Sequence, residues 1–371
     1  MIVTKIAIFL FFFLFSFLRC LSTNTQSKNI IILNDEITTI KSPIHCITDI
    51  YFLFRNELYK TCIQHVIKGR TEIHVLVQKK INSTWETQTT LFKDHMWFEL
   101  PSVFNFIHND EIIIVICRYK QKSKREGTSC ERWNSVTGTI YKKEGVQIGK
   151  EAFANKNLDS YQSVPLTVKD KKFLLICGIL SYEYETANKD NFISCVASED
   201  KGRTWGTKIL INYEELQKGI PYFYLRPIIF GDEFGFYFYS RISTNNTARG
   251  GNYMTCTLEE PNESKKYKFK CKHVSLIKPD KSLQNVTKLN GYYITSYVKK
   301  DNFNECYLYY TEQNAIVVKP KVQNDDLNGC YGGSFVKLDE SKALFIYSTG
   351  YGVQNIHTLY YTRYDHHHHH H

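Results

Sequence analysis

Lys169-Asp170-Lys171-Lys172-Phe173-Leu174-Leu175-Ile176-Cys177 is a polar turn followed at once by a strand-length apolar run. The same unit recurs along the chain. Its turns read Arg55-Asn56-Glu57, Asn109-Asp110-Glu111, Lys169-Asp170-Lys171, Gly231-Asp232-Glu233, Leu289-Asn290-Gly291 and Leu338-Asp339-Glu340. Apolar runs of strand length follow at 111–117, 172–177, 234–239 and 343–347. Asn, Asp and Gly suit such turns because a tight hairpin needs residues that tolerate positive φ or cap their own backbone. With the Asn or Asp as marker, the units start at 56, 110, 170, 232, 290 and 339, at intervals of 54, 60, 62, 58 and 49 residues.

Six hairpins at that period predict an all-β, six-bladed propeller, since a four-stranded blade takes ~40–50 residues and more with long loops. A blade cannot bury both faces alone; stacking blades radially does so and leaves only short edges. Aromatic residues make up 15% of the chain and no long helical period interrupts it. The last marker, Asp339, leaves room for a second and a third strand but not a fourth. The Ile-rich segment 29–40 precedes the first unit without a partner of its own. It is expected to become the outer strand of the last blade and close the ring.

The ends read as processing and purification segments. Lys5 leads an unbroken apolar run over 6–15, and Cys20 and Ser22 suit a cut after residue 22, so 1–22 is expected to be a secretory signal peptide. Residues 366–371 are a His tag. The expected mature unit is a single propeller over 23–365, secreted and monomeric, with no direct membrane anchor and no lipid-anchor tail. Net charge is +10, spread as single lysines, which reads first as a solvated face and only weakly as attraction to acidic cell-surface groups. Nucleic acid is not an expected partner.

Eleven cysteines are present, and Cys20 lies in the signal segment. The other ten fit five disulfides in an oxidising compartment. Pairing along the chain gives Cys46–Cys62, Cys117–Cys130, Cys177–Cys195, Cys256–Cys271 and Cys306–Cys330, although sequence alone does not fix connectivity. Loops of this size contribute roughly 3 kcal/mol each in the chain-entropy model. No Cys-x-x-Cys occurs and the seven histidines outside the tag are scattered, so neither metal nor cofactor is expected. Sequons at Asn82, Asn245, Asn262 and Asn285 are expected to mark surface positions.

Ser198-Glu199-Asp200-Lys201-Gly202-Arg203-Thr204-Trp205 is similar to the Asp box of sialidases, Ser-x-Asp-x-Gly-x-Thr-Trp, a turn between the third and fourth strands of a blade. Ser198, Asp200, Gly202, Thr204 and Trp205 are the matching positions. The resemblance implies a structural role for them, with Asp200 accepting backbone N–H bonds, Gly202 supplying positive φ and Trp205 anchoring the turn. Asn82-Ser83-Thr84-Trp85 reads as a degenerate copy.

Over 35–364 the chain also resembles the cysteine-rich protective antigens of malaria merozoites. The likeness rests on Glu57-Leu58-Tyr59, Val77-Gln78-Lys79-Lys80, Phe173-Leu174-Leu175-Ile176-Cys177-Gly178, Thr204-Trp205-Gly206-Thr207-Lys208, Leu225-Arg226-Pro227, Cys330-Tyr331-Gly332-Gly333, Phe345-Ile346-Tyr347-Ser348 and the ten cysteines. It implies a sialidase-like propeller without sialidase activity, carried from invasion organelles (micronemes) to the merozoite surface and held there by partners. It also implies a scaffold bridging Ripr and a reticulocyte-binding-homologue adhesin, and binding of sialylated host glycans.

Sialidases grip a carboxylate with three arginines near the start of inner strands, the geometry bidentate Arg supplies. The inner strands here are expected near Pro43, Pro101, Ser163, Arg226, Gln284 and Gly333, and only Arg226 qualifies. No catalytic residue is therefore assigned. Tyr222, Tyr224, Arg226 and Tyr331 remain as a candidate sialoside site at the channel mouth, offering stacking faces and one charge. Against that reading stands ordinary aromatic packing between blades.

Overall fold

The hairpin unit recurs six times in a computed structural model of the chain. The structure describes 28 strands together with residues 42, 44–47, 55–56, 82–83, 101, 110, 199–203, 206, 290–291 and 340–341. Among the described residues there is no helix. The expected signal peptide and tag, and the turns at Asp170 and Asp232, lie outside them.

In chain order, β1 (Lys28–Leu33) and β2 (Thr38–Lys41) come first. Blade 1 is β3 (Thr48–Phe54), β4 (Glu57–Lys68), β5 (Arg70–Ile81) and β6 (Thr84–His95). Blade 2 is β7 (Ser102–His108), β8 (Glu111–Tyr119), β9 (Thr128–Ser135) and β10 (Lys142–Gly145), followed by the short β11 (Gln147–Ile148) and β12 (Asn157–Leu158). Blade 3 is β13 (Gln162–Val168), β14 (Lys171–Ser181), β15 (Phe192–Ser198) and β17 (Thr207–Ile211), with β16 (Thr204–Trp205) inside the connecting turn. Blade 4 is β18 (Tyr224–Phe230), β19 (Glu233–Tyr239), β20 (Asn252–Glu259) and β21 (Lys268–Ser275). Blade 5 is β22 (Lys281–Leu289), β23 (Tyr292–Lys299), β24 (Asn302–Tyr310) and β25 (Gln313–Val318). Blade 6 is β26 (Ser334–Asp339), β27 (Lys342–Gly350) and β28 (Val353–Tyr364).

The fourth strand of blade 6 comes from the other end of the chain, as expected. β2 pairs antiparallel with β28, Ile40 opposite Gln354, and β1 continues the pairing from Leu33 opposite Leu359 to Lys28 opposite Tyr364. The segment is two strands rather than one. The six inner strands β3, β7, β13, β18, β22 and β26 each neighbour the next, and β26 returns to β3.

Turn chemistry follows the markers. Arg55 and Asn56 have φ of 50° and 60°, Asp110 57°, and Asn290 and Gly291 47° and 85°. Positive φ at both central residues matches the right-handed twist of the flanking strands. Blade 6 differs: its turn is Glu340-Ser341, and Asp339 closes the strand before it. The Asp339 carboxylate accepts bonds from the Ser341 amide (2.7 Å) and hydroxyl (2.8 Å). Arg55 Nε and Nη2 reach Asp110 at 3.0 and 2.9 Å, tying the turns of blades 1 and 2. That pair is exposed and adds little to stability.

The core lies between blades. β8 reads Ile112-Ile113-Ile114-Val115-Ile116-Cys117 and every one of these is buried. Its side chains alternate. Ile112, Ile114 and Ile116 pack against Phe52, Ile73, Val75 and Val77 of blade 1. Ile113, Val115 and Cys117 pack with Leu174, Ile176 and Trp205 of blade 3. A strand covered on both faces needs this unbroken apolar run. Blade 6 does the same: Ala343, Phe345 and Tyr347 meet Leu289, Ile294 and Leu308 of blade 5, while Ile346 meets Leu58 and Trp85 of blade 1. Ile40 of the closing strand is fully buried in that last cluster.

Closure makes a direct prediction. Ile40→Ala removes a wholly buried side chain and should lower stability by about 2–4 kcal/mol, read as a lower denaturant midpoint. Thr38→Ala, on the exposed part of the same strand, should leave the midpoint unchanged.

Candidate functional site

Within each blade the strands are antiparallel. The turns between first and second strands, and between third and fourth, therefore share one face of the disc. The connections into the inner strands lie on the other. The Asp box occupies the first face. Ser198 Oγ accepts from the Gly202 amide at 2.8 Å and donates to Asp200 Oδ1 at 2.7 Å. Asp200 Oδ1 takes the Thr204 amide at 2.8 Å and Oδ2 the Thr204 hydroxyl at 2.6 Å. Trp205 Nε1 donates to the Gly202 carbonyl at 2.9 Å. Lys201 and Gly202 carry φ of 60° and 86°. A methyl at Gly202 would also sit 3.5 Å from Ile113, Leu174 and Trp205. Burial would raise the Asp200 carboxyl, but the bonds from Thr204 and Ser198 outweigh it and hold its pKa below the ordinary value.

This turn docks on the preceding blade. The fully buried Arg132 of β9 donates through Nε to the Lys201 carbonyl at 2.8 Å. Its guanidinium stands 3.8 Å from Glu111, which Lys201 Nζ also approaches at 3.6 Å. β16 pairs in parallel with β11, Gln147 opposite Thr204. Blade 1 repeats the arrangement at the degenerate copy. Asn82, exposed and at φ 54°, turns between third and fourth strands. Trp85 is buried against blade 6, and Lys41 of β2 pairs in parallel with Thr84.

Beside Trp85 lies a polar group that sequence reasoning missed. Lys60, 2% exposed, sits 2.8 Å from Asp49 and 4.8 Å from the Trp85 ring centroid. Gln354 of blade 6 donates to Asp49 Oδ2 at 3.1 Å and accepts from Trp85 Nε1. Burial pushes Lys60 below its usual pKa, against the pull of Asp49. Burial and the Asp49 charge push Tyr51 well above its own. The sulfurs of Cys46 and Cys62 and an Asp49 oxygen lie within 4.8 Å of one another. Both sulfurs are bonded to each other (S–S 2.02 Å), and Lys60 already occupies Asp49, so the donor set does not suit a metal. The group is a lock across the closing seam, closed to substrate.

The other cysteines are placed as follows. Cys117 and Cys130 are bonded and opposed on β8 and β9. Cys177 stands opposite Cys195, and Cys256, which is disulfide-bonded, opposite Cys271. Cys306 lies on β24, and Cys330 is outside the described residues. Cys46 is not on a strand; it precedes β3, where Asp49 faces Cys62.

Of the candidate sialoside residues, Tyr224 and Arg226 lie at the start of β18, on the face opposite the Asp box, in register with Tyr239 and Tyr237. Tyr222 and Tyr331 are outside the described residues. Sequons Asn245 and Asn262 are likewise outside them. Asn82 is exposed. Asn285 departs from the expected surface position: it is half-buried on the inner strand β22, at a bulge, and accepts from the Val286 amide at 3.0 Å.

Comparison with known proteins bears on this geometry. Residues 37–356 match the family described as Cysteine-Rich Protective Antigen 6 bladed domain. No curated protein matches the chain. Among solved structures, the parainfluenza virus 5 hemagglutinin-neuraminidase ectodomain is similar, with TM-score 0.56 and 9% identity over 89% of this chain and 86% of that one. The same viral protein with ligand DANA gives TM-score 0.54 at 9% identity, covering 89% and 94%. At that identity the likeness shows the fold alone.

Two variants test the site. Asp200→Asn should cost about 1.5–3 kcal/mol at neutral pH, because it removes charge-assisted bonds. A carboxyl with a depressed folded pKa stabilises above its unfolded value near ~4 and loses that contribution as pH falls through the folded pKa. Wild type and variant should therefore converge in acid denaturation profiles. Asp49→Ala strands the Lys60 ammonium and should cost about 3–5 kcal/mol, whereas Asp49→Ala with Lys60→Met should recover much of that loss in thermal melts.

Proposed function

The chain belongs to the cysteine-rich protective antigen family, and on that premise we propose that it is a secreted, non-enzymatic binding propeller. In this reading it leaves invasion organelles, reaches the merozoite surface and works there as a scaffold, bridging Ripr and a reticulocyte-binding-homologue adhesin during erythrocyte invasion. One observation carries the non-enzymatic part. The six strands that line the axis, β3, β7, β13, β18, β22 and β26, hold a single arginine among them, Arg226. Sialidase chemistry needs a carboxylate clamp of several, because one guanidinium neither orients the sugar acid nor holds it against a nucleophile. The apolar runs are used up in blade-to-blade packing, which leaves turns and rims to meet partners.

A second reading has its own support. Arg226 and Tyr224 sit together at the start of one inner strand, away from the structural turns. A single arginine with an aromatic neighbour suits reversible binding of a sialoside rather than its hydrolysis.

The purified protein should release no sialic acid from a fluorogenic sialoside above the buffer rate; measurable turnover contradicts the proposal. Co-precipitation from merozoite lysate should recover Ripr or the adhesin, and recovery of neither removes the scaffold role. On a glycan array, Arg226→Ala should abolish any sialoside signal; retained signal places that site elsewhere.

A further inference from the structure

Lysine is concentrated at one place in the sequence: five of the eight residues 265–272 are Lys. The fold turns part of that run into a geometric array. Lys268, Lys270 and Lys272 lie on β21, the outer strand of blade 4. Alternate residues of a strand share a face and stand ~6.8 Å apart. Cys271 stands in register with Cys256, which is buried and disulfide-bonded.

Glu259 is opposite Lys268, but Lys270 and Lys272 face Thr257 and Thr255. Lys270, Lys272 and Thr257 are exposed. Neither Lys270 nor Lys272 makes an ion pair or hydrogen bond among the described residues. Several lysines elsewhere on the blades are spent on partners: Lys79 on Glu57, Lys337 on Glu340 and Lys60 on Asp49.

We propose that this strip on the rim of blade 4 binds a sulfated polysaccharide of the heparan type. A linear polyanion matches a linear row of cations, and release of its counterions drives the association. The exposed Thr257 hydroxyl, opposite Lys270, suits a sulfate oxygen. The exposed large hydrophobic residues among those described, Ile47 and Leu338, belong to blades 1 and 6. The spread of charge inferred from sequence therefore understates one locus.

The test uses the secreted full-length chain and an immobilised heparin-derived oligosaccharide. Lys270→Ala with Lys272→Ala should weaken binding about tenfold at ~0.15 M salt and lower the slope of log affinity against log salt by about 2. Lys41→Ala with Lys93→Ala removes the same charge from exposed sites on blades 6 and 1 and should change neither. Equal loss in both double variants would reduce the effect to net charge and overturn the proposal. So would undiminished binding by the first. Loss of binding to phosphatidylserine vesicles with heparin binding intact would reassign the strip to membranes. Matching thermal melts establish that each variant is folded.

Discussion

The outer edge of β28 has to find its hydrogen-bond partner at the far end of the chain. Thr39 and Asn355, whose side chains bond at 3.0 Å, are 316 positions apart. An open edge there would leave a row of unpaired amides and carbonyls and an uncovered face on blade 6. Closing it makes the inner strands continuous and lets blade 6 bury both faces. The seam carries more than backbone pairing. Ile40, Ile356, Val336 and Trp85 form its apolar part, and Lys60, Asp49 and Gln354 its polar part. Apolar contact supplies most of the attraction, while Gln354 of blade 6 reaches across to Asp49 and Trp85 of blade 1.

The two Asp-box-type turns use one device twice. Each puts a tryptophan from a turn between third and fourth strands onto the blade before it, and each pairs its following residues in parallel with a short strand of that blade. The turn is thus a rivet between blades. Its distance from the start of the inner strands explains how a chain can keep the Asp box while those strands hold a single arginine. Selection on the rivet concerns folding, and selection on the axis concerns chemistry, so the two separate.

The repeat was legible because tight hairpins demand particular residues. Asn56, Asp110 and Asn290 were visible as markers and all adopt positive φ. Ring closure was legible by counting strands, and the Asp box because its bonds all fall within eight residues. The copy at Trp85 was harder to see. Blade 1 joins two 12-residue strands through a single residue, so its turn comes sooner after the marker than in blade 3. The Lys60 lock was not legible at all. A lysine in an alternating strand reads as a solvent-facing residue, and Gln354, which bonds its partner Asp49, is 305 positions from that aspartate. Asn285 misled for a similar reason, since a sequon looks exposed until its strand is known to line the axis. A sialoside site at Tyr222, Tyr224, Arg226 and Tyr331 needs loop geometry, which strand periodicity does not encode.

Ring closure by the N-terminal strand is most directly tested by an engineered crosslink. Thr39 and Asn355 are opposed in register, so Thr39→Cys with Asn355→Cys should form an intramolecular disulfide under mild oxidation. Mass spectrometry of the protease digest should then recover the peptides around residues 39 and 355 joined in a monomer. Free thiols at both positions, or crosslinks only between molecules, would show that the strand does not close blade 6.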